Sequence, residues 1–148
     1  GRASSLDMSC LCFGAGDSTS VEGQNINLPS AWERREQAGR AAHLALHRAA
    51  PPFPPSRTSC EVRVERAIQR EVEAHLLEFD VRRVLGVTGF RYPFERDLDT
   101  MAREQRAEWL REYFLSHPEG EHGVPGFVSQ YRKRCKDTRV VAERVEED

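Results

Sequence analysis

Few residues in this chain have the types and spacing for chemistry. Cys10 and Cys12 form a C-x-C that could give two thiolates to a metal or act as a redox pair. Zinc takes four ligands, and no nearby C-x-x-C or H-x-x-x-H completes the set. His43 and His47 stand four apart, so a helix would carry both imidazoles on one face. No Cys or acidic residue at a helical spacing adds a third ligand, and the pair is expected at the surface. Cys135 lies between Arg134 and Lys136, whose charges would lower a thiol pKa, and His117 or His122 could serve it as a base. Asp97, Asp99, Glu119 and Glu121 could supply paired carboxylates, provided a pocket shifts one of them.

Each group also has a plainer role. Cys135 is in helical register with Phe127 and Tyr131, which marks a core position. The acidic residues fall at expected helix ends, where capping accounts for them. Four cysteines are too few for a disulfide-built fold, so free thiols in a reducing compartment are expected. Gly14-Ala15-Gly16-Asp17-Ser18 lacks the lysine of a phosphate-binding loop. The sequence therefore predicts no catalytic residue, no cofactor and no metal.

The elements that would position these groups divide at Pro51-Pro52-Phe53-Pro54-Pro55. Residues 1–29 are rich in Gly, Ser, Asp and Asn and show no sustained period, as expected of an extended or disordered arm. Residues 30–50 read as an Ala-rich helix capped by Ser30. Residues 51–57 are a stiff Pro-rich linker. Residues 58–148 read as a helical body. There Thr58-x-x-Glu61 has the form of a capping box. It precedes a helix from about Ser59 to Phe79, or onward to Leu85, with Val64, Ile68, Val72, Leu76 and Phe79 on one face. Gly86 suits a left-handed helix cap. Phe90, Tyr92 and Phe94 alternate as in a short strand or extended loop, and Asp97, Asp99 and Thr100 compete to cap a helix from about Met101 to Ser116. A turn-rich loop, 119–126, leads to a last helix from Phe127 to about Val145. The fold class is mainly α: a small body of three to four helices with an irregular N-terminal arm.

Composition bounds the function. The 148 residues carry a formal net charge of −2, with 31% charged and 39% hydrophobic residues, and mean hydropathy is −0.65. The pI is near 6.3 and charges of both signs are interleaved, so nucleic acid is not expected as the main partner. No apolar run reaches the length of a membrane span. Lys133 and Lys136 are the only lysines among 22 basic residues, and arginine favours interfacial ion pairs. The opening Gly1-Arg2-Ala3-Ser4-Ser5 has the flavour of a mitochondrial targeting region. The expected function is that of a non-catalytic structural or accessory subunit of a large intracellular assembly, mitochondrial by preference, whose partners are other protein subunits. Trp32, Phe53, Phe90, Tyr92, Phe94, Arg132 and Arg134 are the expected partner-binding residues. A cytoskeletal or ciliary adaptor and a small Cys- or metal-dependent enzyme are the alternatives.

Overall fold

The computed structural model describes residues 11–14, 20–22, 25–29, 32–49 and 58–145. Ser30, Phe53, the proline run and Cys10 lie outside the described residues. The chain is mainly helical, in the order β1 (Leu11–Gly14), β2 (Ser20–Glu22), β3 (Asn25–Pro29), α1 (Arg34–Ala49), α2 (Cys60–Val84), α3 (Glu95–Thr100), α4 (Arg103–Ser116), β4 (Gly120–Glu121), β5 (Val124–Pro125) and α5 (Phe127–Val145). It forms two compact units, and α2 belongs in part to each.

The first unit holds the three-stranded sheet, α1, the C-terminal half of α2 and the residues up to Gly89. The arm residues predicted as extended form short strands that pair with one another. β3 is central, parallel to β1 and antiparallel to β2. Leu28 on β3 is buried with Ala41, Leu44 and Ala45 of α1. Small side chains dominate α1, so its backbone can approach α2 closely. The contact is close at Gly39, where a Cβ would stand 2.6 Å from Arg82 Cγ and 3.3 Å from the Glu78 carbonyl oxygen.

Helix α2 is 25 residues long and continues past Phe79 to Val84, the longer of the two expected extents. The hydroxyl of Ser59 accepts from the Val62 amide at 3.4 Å, so Ser59 caps the helix in place of the predicted Thr58. At the other end Gly86 has φ +79°, Val87 N–H donates to Arg82 O, and Gly86 N–H donates to Arg83 O. These two bonds are the Schellman pattern and bear out the glycine cap.

The second unit holds the first half of α2 and everything from Phe90 onward. Val64, Ile68, Val72, Phe94, Leu98, Leu110, Phe114, Val124 and Val128 are buried in it. Its centre is aromatic: Phe114 packs edge-on to Phe94 and to Phe127, with ring centroids 5.7 and 5.0 Å apart. Two expectations are corrected here. Residues 95–100 form their own short helix, so Asp97 sits in its first turn and Thr100 donates to Asp97 O at 2.9 Å; neither caps α4, which starts at Arg103 behind Ala102 with no side-chain cap. The 119–126 segment is a tight hairpin. Its two-residue loop, His122-Gly123, has φ +44° and +84°, the two positive values of a type I′ turn.

Cys60 and Cys135 are joined, with Cα atoms 5.8 Å apart, which overturns the expectation of free thiols for these two of the four cysteines. The bridge ties the start of α2 to α5 across 75 residues of sequence, a proximity that spacing alone does not reveal. Closing a loop of that size removes denatured-chain entropy equivalent to about 4 kcal/mol. Cys60→Ser with Cys135→Ser should lower unfolding free energy by about that amount, read by urea titration, and reducing agent should have the same effect on wild type only. Gly39→Ala would gain about 1 kcal/mol of helix propensity, yet it should destabilise by about 1–3 kcal/mol net through overpacking against Arg82. A rise in melting temperature would contradict the close approach.

Candidate functional site

The chemistry-bearing residues of the first unit converge on one carboxylate. Glu78 sits on the face of α2 turned to α1, and its side chain is 1% exposed. Oε2 accepts from His43 Nδ1 at 2.9 Å and from Arg40 at 3.3 Å. One turn along α1, His47 Nε2 stands 3.1 Å from His43 Nε2. His75, one turn before Glu78 on α2, meets the His43 ring edge-on at 4.6 Å between centroids. A helical repeat explains the grouping. Positions 40, 43 and 47 share a face of α1, and positions 75, 78 and 82 share a face of α2.

A second ion pair lies beside the first. Arg82, 2% exposed, donates from Nη2 to Glu36 Oε1 at 3.1 Å, with Nε 2.9 Å from Oε2 as an ion pair, and also donates to Gly89 O at 3.2 Å. Arg83 donates to the same carbonyl at 3.2 Å.

The electrostatics follow from this geometry. Burial works to raise the Glu78 carboxyl, but the His43 hydrogen bond, the His43 charge interaction and Arg40 outweigh it and bring the pKa down to about 2. Burial also dominates at His43, holding its imidazole below the usual value against the opposing pull of Glu78. We therefore assign an ionised Glu78 and a neutral His43 that carries its proton on Nδ1. Nε2 of His43 is then the lone-pair nitrogen, and His47 Nε2–H donates to it.

The predicted surface pair His43/His47 is thus half right in place. His43 is buried at 3% exposure, while His47 is half-buried. The residues that sequence reasoning missed are His75 and Glu78, which lie on another helix. The available signal was polar residues, Glu71, His75 and Glu78, interrupting the apolar stripe of α2 at three- and four-residue spacing.

The other expected residues scatter. Phe90 is 42% exposed with the Arg96 guanidinium 5.9 Å from its ring centre. Tyr92 is half-buried and stacks on Phe94 at 5.2 Å, and Phe94 is core. Residues 91–94 are turns and bends, not a strand. Trp32 is half-buried ahead of α1, in the other unit. Arg132 and Arg134 are exposed on α5; Arg132 lies 3.7 Å from Glu61, and Arg134 covers the Tyr131 ring at 5.4 Å. Cys135 is bonded to Cys60 and so is not a thiolate nucleophile beside His117 or His122. Those histidines both meet Glu121, at 2.8 and 3.1 Å, while Ser129 donates to Glu119.

One further buried pair belongs to the second unit: Tyr131 donates to Glu71 at 2.5 Å. Burial, the Glu71 charge and this hydrogen bond all push the phenol pKa well up. A raised folded-state pKa contributes stability that is complete below the unfolded value, about 10, and is lost as pH rises through the folded one. Tyr131→Phe should cost about 1.5–3 kcal/mol at neutral pH. Above about pH 10 wild type should lose stability faster than the variant, as read by chemical denaturation across pH; parallel curves would refute the assignment. No protein-family model matches the chain, no curated protein matches its sequence and no solved structure matches its fold.

Proposed function

We propose that this chain is a non-catalytic accessory subunit that docks onto other protein subunits through exposed apolar and arginine-bearing surface. The observation that carries this reading is the distribution of exposed large hydrophobic side chains. Among the described residues these are Val62, Val84, Leu85 and Phe90, and three of the four fall within residues 84–90. Val84 is 85% exposed at the last turn of α2. Val84 and Leu85 adjoin on the first unit and Phe90 opens the second, so each unit carries exposed apolar side chains of the kind a partner surface covers. Arg96 beside Phe90 adds a guanidinium suited to a hot spot.

The Cys60–Cys135 bridge favours a compartment that sustains disulfides over a reducing cytosol. Within that limit the assembly we propose is organellar, mitochondrial by preference, on the strength of the arginine-over-lysine bias.

Native isolation of the tagged full chain, with sizing and mass spectrometry, tests the proposal. The expected result is recovery in a stoichiometric complex far larger than the 16.9 kDa chain. The triple variant Val84→Ser, Leu85→Ser, Phe90→Ser should remain folded and leave that complex. Recovery of wild type as a monomer, or equal retention of the variant, would overturn it.

A further inference from the structure

The α1–α2 histidine cluster has the donors and the spacing of a metal centre. Two imidazole nitrogens that face one another at 3.1 Å, as His43 and His47 Nε2 do, must share a proton or a cation. A tetrahedral zinc ion with N ligands at about 2.0–2.1 Å sets its donor nitrogens about 3.3–3.4 Å apart. The pair therefore stands within a few tenths of an ångström of chelating distance without a change of helix geometry. A donor nitrogen of His75 lies within 4.8 Å of one on His43, so a third imidazole is within side-chain reach.

The surroundings match as well. A metal-bound histidine characteristically gives its other ring N–H to a carboxylate, which fixes the tautomer and orients the ring. Glu78 holds His43 Nδ1 in that way at 2.9 Å, and Arg40 balances the carboxylate charge from its far side. The donors are nitrogen-rich and the ring of His43 is buried, which suits zinc or another late first-row ion and not magnesium or calcium.

We propose that the first unit binds one divalent transition-metal ion, with zinc the best fit, through His43 Nε2, His47 Nε2 and His75, and with Glu78 as the supporting carboxylate on His43. Binding displaces the proton shared between His43 and His47, either to solvent or to His47 Nδ1. One coordination position remains for water. The site is independent of the docking surface proposed above and shares no residue with it.

Isothermal titration of the full chain, purified with chelator and with its disulfide intact, tests this with zinc chloride as the probe. The expected result is one equivalent bound at micromolar affinity or tighter, with a rise in melting temperature. His47→Ala is half-buried and should keep the metal-free fold, checked by circular dichroism, while lowering affinity at least tenfold. Glu78→Gln should lower it about 10–100-fold. His117→Ala with His122→Ala removes the other histidine pair and should change nothing. No saturable binding, stoichiometric binding that survives His47→Ala, or binding lost only in the His117/His122 variant would each overturn the proposal.

Discussion

The first unit depends on an ionised carboxylate kept away from water. Glu78 would be prohibitively costly to bury alone, and what makes it tolerable is that α1 arrives with His43 and Arg40 already one turn apart. The neighbouring Arg82–Glu36 ion pair repeats the arrangement with the signs exchanged between helices, the cation on α2 and the anion on α1. Buried ion pairs of this sort add little net stability compared with well-packed apolar residues, but breaking one side of them is expensive. Their effect is to specify which face and which register of α1 meets α2. That matters because the alanines of α1 offer a smooth surface with little shape to choose among registers.

The second unit solves the same problem by other means. Its helices carry large aromatic and aliphatic groups, so Phe94, Phe114 and Phe127 interlock at edge-on angles. A type I′ turn sets the short hairpin ahead of α5, and Gly120 and Gly126 are fitted there because a Cβ would come within 2.3 Å of Val124 O and 2.4 Å of Glu119 C respectively. Of its two buried carboxylates, Glu71 is held by the Tyr131 phenol and Glu95 accepts from the Arg91 amide at 2.7 Å. Apolar interlocking dominates the packing here, consistent with the different compositions of α1 and α4.

Local signals in the sequence were readable where the chain itself supplies the physics. Gly86 as a helix terminator, the Phe127–Tyr131–Cys135 stripe and the end of α4 at His117-Pro118 all follow from backbone and periodicity, and all hold. Competing polar caps defeated the same approach at 97–103: side chains that can cap also tolerate the first and last turns of a short helix, and α3 took them. The histidine cluster was legible only by half, since His43 and His47 are i,i+4 neighbours but Glu78 reaches them from 35 residues away by tertiary contact. The Cys60–Cys135 pairing was hidden for the same reason, and the interleaved charges of α2 made Glu71, His75 and Glu78 look like ordinary interruptions of its apolar stripe.

The disulfide gives the molecule a covalent topology of a ring, residues 60–135, with a short segment after it and a long N-terminal tail before it. Cys60 and Cys135 close a ring that includes all of α2, so His75, Glu78 and Arg82 are ring members. Glu36, Arg40, His43 and His47 belong to the tail, attached only through the chain before Cys60. A peptide bond cut anywhere within the ring leaves one covalent molecule, whereas a cut between Ala49 and Cys60 leaves the sheet and α1 bound by their charges and packing alone. The polar cluster is therefore also the clasp between tail and ring, the place where a non-covalent bond does what the cystine does elsewhere in the chain.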